Sequence, residues 1–448
     1  MENVNEMGSM NIKKLALKTS IPMIMSMMAI ALYGIVDTIF ISNISDEALE
    51  AVSLSIPIQA IITAIGLGTG IGVNSVLARF LGEKNEKKAN KVIVYGIGLI
   101  FISWIIIVIA SILGLENFFV FFTEDLTLQR LGYQYMSIIG IFSIGTLYQI
   151  LFEKILEAHG KAKMSMIVQF SGTIINLILD PILIFGLIGA PELGIKGAAI
   201  ATVTGQIFGM LIGIIYIVKH RIISKKSFAD LKIEKDIIKT ILKIGIPTII
   251  LESVSSFITI YLNKILISFS DEAVETWGLY YQLQRFVIII VYGLNYGMIP
   301  IVAYNWGAGN KERVKEAIKV FLKLTLQVTV IGELLFLIVP ELLLSFFKVS
   351  QNVVDTAIPA FRILSIGFTF AGISLMLSAI SQAFANGTYS LIVNLSRKII
   401  LVVPLIMILK NIFGIYSIWI SFTIAEIITM IIAIILYNNI RKNIIEKI

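Results

Sequence analysis

The chain has 448 residues, of which 57% are hydrophobic and 15% charged, and its formal net charge is +7. Its mean hydropathy of +0.92 excludes an ordinary soluble protein, because too few polar residues are available to cover a core of this size. The lack of cysteine excludes disulfides, thiolate nucleophiles and cysteine metal sites, and two histidines are too few for a histidine metal centre.

Long apolar runs recur along the whole chain and are separated by charged or turn residues. Runs of about 18 residues or more match the roughly 30 Å hydrocarbon core of a bilayer. The sequence therefore predicts an all-α polytopic membrane protein with twelve transmembrane helices. The predicted spans are 15–41, 52–78, 92–113, 131–156, 165–189, 194–218, 240–269, 276–303, 317–339, 357–384, 391–409 and 414–437.

Basic residues occupy alternate joints between these spans, which is a signal of orientation rather than of nucleic-acid binding. The second joint carries Arg79, Lys84, Lys87, Lys88 and Lys91, whereas the first carries only acidic charges. Because short lysine- and arginine-rich loops stay in the cytoplasm, we predict that both termini are cytoplasmic and that the protein lies in the cell (inner) membrane. The first apolar run is too long for a signal peptide and has no cleavage site, so none is expected.

The two halves of the chain resemble one another. Pro22 and Pro247 lie in similar segments and are 247 − 22 = 225 residues apart, and Gly82 and Gly307 precede similar turns, with 307 − 82 = 225. Each half has an even number of spans, so the repeats are parallel and a central cavity is expected between them. We predict an amino-terminal six-helix bundle over 1–220, a basic cytoplasmic linker over 221–236 and a carboxy-terminal six-helix bundle over 237–448.

Four segments resemble the multidrug and toxic compound extrusion (MATE) family. They are Val36-Asp37-Thr38-Ile39-Phe40, Asn176-Leu-Ile-Leu-Asp180-Pro181, Gly197-Ala-Ala-Ile-Ala-Thr202 and Pro300-Ile-Val-Ala-Tyr304-Asn305-Trp306-Gly307-Ala308. The resemblance covers nearly the whole chain. It implies a secondary active transporter, not an enzyme, that exports cationic or amphipathic small molecules by antiport with H⁺ or Na⁺ through alternating access. No cofactor besides the coupling ion is implied, no nucleic-acid partner is expected, and a monomer is expected.

Asp37, Asn176, Asp180 and Thr202 are the candidate coupling site. At about 1.5 Å per residue, Asp37, Asp180 and Thr202 all lie roughly 9–14 Å below the outer surface, so they can meet in one layer. Two close carboxylates in a bilayer cannot both ionise cheaply, and such a pair can take up and release a proton. The same oxygens, with the amide and the hydroxyl, suit Na⁺. In the family the matching positions hold the cation or proton, and a static packing cluster is the alternative.

Other residues are assigned on weaker grounds. Glu252 is expected in mid-membrane, where it can meet a cationic substrate. An adaptable cavity is expected from residues that include Tyr33, Met28, Gln59, Tyr148, Gln282, Tyr292, Asn295 and Met298. Pro22 and Pro181 break the hydrogen-bond ladder of their helices and are candidate hinges.

Further charges are interpreted as structural. Glu153 and Glu157 stand one turn apart at a cytoplasmic helix end, where a solvated face is expected, with Glu157 paired to Lys161. Arg397 is expected to reach the membrane surface from its span end. The roles of Glu333 and Glu426 are left open.

Three alternatives remain. A lipid or lipid-linked oligosaccharide flippase of the same superfamily shares the architecture, but a strongly cationic cavity is expected there, and the intramembrane charges are mainly acidic. An intramembrane enzyme needs a nucleophile with a base or a metal site, and two histidines without any cysteine leave little to build one. A channel does not need two related halves around a carboxylate layer.

Overall fold

The computed structural model describes residues 6–223, 233–347 and 349–448, with side chains throughout except at 255–260 and 263, and this part of the chain is helical without any strand. We number the main helices α1 to α15. They are α1 Ile12–Ser42, α2 Asp46–Gly82, α3 Glu86–Phe122, α4 Leu126–Ile141, α5 Ile144–Ala158, α6 Ala162–Phe185, α7 Ile195–Lys219, α8 Lys235–Ile267, α9 Asp271–Gly307, α10 Lys311–Ile338, α11 Gln351–Ser365, α12 Gly367–Ala383, α13 Gly387–Leu395, α14 Val402–Phe413 and α15 Tyr416–Asn443.

These helices confirm the predicted fold class. Nine described helices or helix runs are long and apolar enough to cross a membrane, and two bent pairs raise the number to eleven. The predicted seventh span coincides with α8, which is 33 residues long and has several side chains outside the description. The protein is thus a multi-pass helical membrane protein. The predicted basic linker, 221–236, lies largely outside the described residues.

Two spans are broken near their middle. The α4–α5 pair bends by 46° and the α11–α12 pair by 45°. At each break a serine turns its hydroxyl onto the carbonyl oxygen three residues earlier, Ser143 onto Gly140 at 2.8 Å and Ser365 onto Arg362 at 3.0 Å. Such local bonds compete with the helical ladder and bend helices. The two bends occupy corresponding places in the two halves.

The chain forms two compact units. The first unit comprises Met1–Ile24 and Val254–Ile448, and the second comprises Met25–Ser253. Consequently α1 and α8 each contribute residues to both units. The predicted bundle boundaries follow the internal repeat rather than these units, and they stay a prediction.

A close helix crossing occurs in each unit at positions related by the repeat. In the second unit, a Cβ atom on Gly68 of α2 would lie 2.6 Å from the carbonyl oxygen of Gly245 in α8. In the first unit, a Cβ atom on Gly293 of α9 would lie 2.8 Å from the backbone nitrogen of Ile24 in α1. The two glycines are 293 − 68 = 225 residues apart. Only glycine permits such close backbone approach.

The core of the first unit is aromatic. Trp277, Tyr280, Phe336, Phe361 and Phe368 pack together there, with Tyr280 and Phe336 touching edge to face at 5.9 Å between ring centroids. Edge-to-face pairs of this kind add to the stabilisation from burial.

The same unit contains a buried ion pair. Arg397 lies in the π-helical turn Ser396–Ile400 and donates to both oxygens of Glu426. The prediction that Arg397 reaches the membrane surface is therefore wrong, because a carboxylate within the protein satisfies it instead.

Candidate functional site

Three of the four predicted coupling residues meet between α6 and α7 in the second unit. Asn176, Asp180 and Thr202 are 3%, 0% and 6% exposed. With its nitrogen toward Asp180, the Asn176 amide donates to Oδ2 at 3.2 Å, and its oxygen accepts from the backbone N–H of Thr202 at 3.0 Å. The amide therefore joins the carboxylate of α6 to the start of α7.

Close helix packing makes this arrangement possible. A Cβ atom on Gly205 would lie 2.5 Å from the carbonyl oxygen of Gly172 and 2.8 Å from the Cβ atom of Asn176. Because Gly205 has no side chain, α6 and α7 approach closely enough for Asn176 to reach Thr202. The small residues of the Gly197–Thr202 segment continue the same contact, since Gly197 lies directly against the backbone of Leu183.

Asp37 of α1 belongs to the same group. It interacts electrostatically with Asp180, and its Oδ1 atom is buried and has no hydrogen-bond partner among the described residues. From the same helix, the hydroxyl of Tyr33 lies 3.3 Å from Oγ1 of Thr202. The carboxylates of α1 and α6 therefore face one polar layer, as the helix-rise argument predicted.

Two tyrosines extend this layer. Tyr135 of α4 is 2% exposed, interacts with both aspartates and shares a hydrogen bond with Gln59 of α2. Tyr33 bonds Thr202 and Gln59 bonds Tyr135 in this layer, and their predicted role in lining a substrate cavity stays a prediction. Tyr135 was not anticipated, because a tyrosine in an apolar span has no sequence signature that separates it from core residues.

The chemistry of the layer suits a small cation. Two carboxylates within an apolar bundle repel one another when both are ionised, and a bound proton or cation removes that repulsion. The Asn176 carbonyl and the Thr202 hydroxyl supply the neutral oxygen donors that hard cations prefer. No group of three or more histidine, aspartate or glutamate residues that could hold a metal ion occurs within the described residues.

The remaining predicted liners are distributed over both units. Tyr148 donates to the carbonyl oxygen of Ile97 at 3.1 Å, and Asn295 donates to that of Leu375 at 3.5 Å. Met28 is 37% exposed, Glu252 and Tyr292 are half-buried, Gln282 is exposed and Met298 is fully buried. A common substrate cavity lined by these residues stays a prediction.

Pro22 and Pro181 both lie inside continuous helices, and their hinge role also stays a prediction.

The expected solvated face of α5 is wrong. Glu153 and Glu157 are 9% and 4% exposed, and Glu157 pairs with Lys154 at 2.9 Å rather than with Lys161. The sequence shows a basic helix end, but α2 and α6 cover it.

A sequence model of the MatE family matches residues 22–182 and 246–408, which together are most of the chain. The chain belongs to the MatE family. The predicted recognition is thereby confirmed, and as a MATE family transporter the protein is not an enzyme.

Relatives and solved structures agree with this membership. The multidrug export protein MepA of Staphylococcus aureus (strain MSSA476) is 27% identical over 417 residues, covering 91% of this chain and 89% of that protein. The FAD transporter of Shewanella oneidensis (strain MR-1) is 28% identical over 411 residues, covering 90% of each. An outward-facing multidrug resistance MATE family transporter of the MOP superfamily matches with a TM-score of 0.91 at 22% identity and covers 100% of both chains. The structural match supports the fold.

Proposed function

We propose that this MATE family transporter exports cationic or amphipathic small molecules in exchange for H⁺ or Na⁺ by alternating access. The observation that carries the proposal is the layer of Asp37 and Asp180 inside an apolar bundle, in a chain similar to MepA over 91% of its length. Two carboxylates that repel one another when no cation is bound hold a cation strongly. If the affinity for that cation differs between two conformations, binding and release of the cation shift the conformational equilibrium and can drive transport.

Orientation follows from the charge pattern. Because lysine- and arginine-rich joints stay in the cytoplasm, the pattern supports an orientation with both termini cytoplasmic and the aspartate layer nearer the outer surface. An inward cation gradient then loads the layer from outside. Each positive charge that moves inward gains about 2.3 kcal/mol per 100 mV of membrane potential, which supplies the driving force. The monomer is proposed as the working unit.

The test is efflux of a fluorescent cationic dye from proteoliposomes, with H⁺ and Na⁺ gradients imposed separately. We expect one of the two gradients to drive efflux in the wild type. Asp37→Asn and Asp180→Asn are expected to slow that efflux more than tenfold, whereas Asp355→Asn, the same chemical change at an exposed acid, leaves it unchanged. Gradient-driven efflux that survives in both layer variants would refute the coupling site.

The similarity to the FAD transporter supports a second candidate cargo, an anionic nucleotide-containing cofactor. The proposal favours cationic cargo because the intramembrane charges of the second unit are mainly acidic. The same proteoliposomes loaded with FAD separate the two candidates, since export of FAD without export of dye would replace the cationic cargo.

A further inference from the structure

A second buried polar cluster lies on α5, against α2 and the start of α6. Glu153, Lys154 and Glu157, all on α5, are 9%, 5% and 4% exposed. Lys154 Nζ lies 3.0 and 2.9 Å from the two oxygens of Glu157, and Ser165 of α6 donates to Glu157 at 3.1 Å. Glu157 is therefore neutralised and hydrogen-bonded.

Glu153 is not neutralised in the same way. Lys154 bonds to Glu157, so the two carboxylates have one ammonium group between them. The cluster therefore holds one excess negative charge if both carboxylates are ionised. The hydrogen bond to Glu153 comes from the neutral amide of Gln149, at 3.1 Å. A buried carboxylate in that position is stabilised by taking up a proton.

A neighbouring side chain leaves an acceptor unused. Asn74 of α2 is 2% exposed, and its amide nitrogen donates to the backbone carbonyl of Lys154 at 2.9 Å. Its Oδ1 atom is buried and has no hydrogen-bond partner among the described residues. The cluster thus contains more acceptors than donors, which is the state that an added proton relieves.

Polar side chains connect this cluster to the aspartate layer. Gln149 contacts Gln169 of α6 at 3.5 Å, and Gln169 donates to Thr173 at 3.2 Å. Asn176 follows Thr173 by three residues, so it lies one turn further along the same helix face. From Ser165 to Asp180, α6 rises by about 22 Å at about 1.5 Å per residue, most of the hydrocarbon thickness.

The other half of the chain supplies a natural comparison. At the same offset of 225, Glu153, Glu157 and Ser165 correspond to Ser378, Gln382 and Ser390 (378 − 153, 382 − 157, 390 − 165). The geometry is retained. Gln382 donates to Ser390 at 3.0 Å, as Ser165 donates to Glu157, and Ser378 and Ser390 share a bond of 2.7 Å.

This comparison separates packing from charge. The helix contact forms with neutral serine and glutamine in the first unit, so the fold itself does not require the two carboxylates and the lysine. The charges occur in the half that also carries Asp37 and Asp180. A role shared with that layer accounts for their placement.

We propose that Glu153 is a second proton-binding site, which receives the proton released by the aspartate layer and passes it to the cytoplasm. The proposal rests on the proposed function, with H⁺ as the coupling ion. The O–H bond of a protonated aspartic acid breaks, water along Thr173, Gln169 and Gln149 carries the proton, and an O–H bond forms on Glu153. Glu153 then gives the proton to cytoplasmic water and becomes a carboxylate again, so the cycle consumes nothing.

Among the described residues, Lys154 and Glu157 are the charged groups that act electrostatically on Glu153. His159 and Lys161 lie in the turn that follows α5. Burial lowers the pKa of His159 to about 4, so this histidine stays neutral near pH 7 and does not compete for the proton.

The experiment compares two transport modes of the full-length protein in proteoliposomes. Efflux driven by a pH gradient requires proton release, whereas dye counterflow at equal pH does not. We expect Glu153→Gln to slow driven efflux at least tenfold while counterflow and dye affinity stay within twofold of the wild type. Azide or formate, small acids that carry protons, should restore driven efflux. Ser378→Ala, the matched change in the other half, should leave both modes unchanged.

The outcomes separate the relay from the proposed function. Driven efflux at the wild-type rate in Glu153→Gln, with Asp180→Asn inactive, overturns the relay alone. Equal loss of efflux and counterflow, unrelieved by Glu153→Asp, shows a structural role and also overturns it. If only a Na⁺ gradient drives the wild type, the choice of H⁺ fails, and the relay fails with it.

Discussion

The buried ion pair of the first unit gives a prediction with an internal contrast. Arg397 and Glu426 are 2.7 Å apart between Nη2 and Oε1, and their side chains are 10% and 12% exposed. Replacing Glu426 with glutamine leaves a guanidinium that stays protonated under all ordinary conditions. Leaving a charge unpaired in this way costs about 3–5 kcal/mol. We expect Glu426→Gln to lower the free energy of unfolding by that amount, equally at pH 5 and pH 7.

The opposite variant, Arg397→Gln, leaves a carboxylate without its cationic partner in the same buried place. Removing one partner of a buried pair is costly whichever charge remains. We therefore expect Arg397→Gln also to lower the free energy of unfolding by about 3–5 kcal/mol.

Equilibrium unfolding in mixed lipid–detergent micelles at both pH values provides the measurement. Arg362→Gln is the matched control, because Arg362 pairs with Glu341 on the surface, where the side chains are 49% and 56% exposed. Such an exposed pair contributes about 0–1 kcal/mol. Deficits in Glu426→Gln and Arg397→Gln that are no larger than the deficit in Arg362→Gln would refute the charge argument.

Three further predictions concern single positions. Gly205→Val should lower the free energy of unfolding by about 1–3 kcal/mol and abolish gradient-driven dye efflux, because its Cβ atom would lie 2.5 Å from a backbone oxygen of α6. At Gly98 a Cβ atom meets nothing within 4 Å, so Gly98→Ala should match the wild type in both assays. His159→Gln should leave the pH profile of efflux unchanged between pH 5.5 and 8, since the pKa of His159 is lowered to about 4 and it is neutral throughout; a profile displaced by this variant would contradict the assignment. Gly68→Val and Gly293→Val should reduce driven efflux and the yield of folded protein on size-exclusion chromatography to the same extent. A defect in only one of the two variants would argue against equivalent crossings.

The membrane spans could be predicted from the sequence because the bilayer imposes a length and a composition on each helix. The bends at Ser143 and Ser365 could not, because a serine in an apolar run serves equally well on a straight helix. The meeting of Asp180 with Thr202 followed from depth and helical spacing alone. The depth of each residue along its helix is set by regular helix geometry, and local sequence determines where the helix forms.

The parts that could not be predicted depend on which helix covers which. Glu153 lies beside a lysine at a helix end, a pattern typical of solvated faces. Its burial depends on contact with α2, where Asn74 lies 80 residues before Lys154. Tyr135 joined the aspartate layer for the same reason. Arg397 found Glu426 across 29 residues, on a π-helical turn that hydropathy does not reveal.

The sharing of α1 and α8 between the two compact units affects how the gene can be divided. A cut in the predicted linker, 221–236, separates the repeats. Each fragment then keeps a helix segment that completes the unit of the other fragment. Neither fragment alone contains all the residues of one unit. Co-expressed fragments should therefore reconstitute a transporter, whereas either one produced by itself should be degraded.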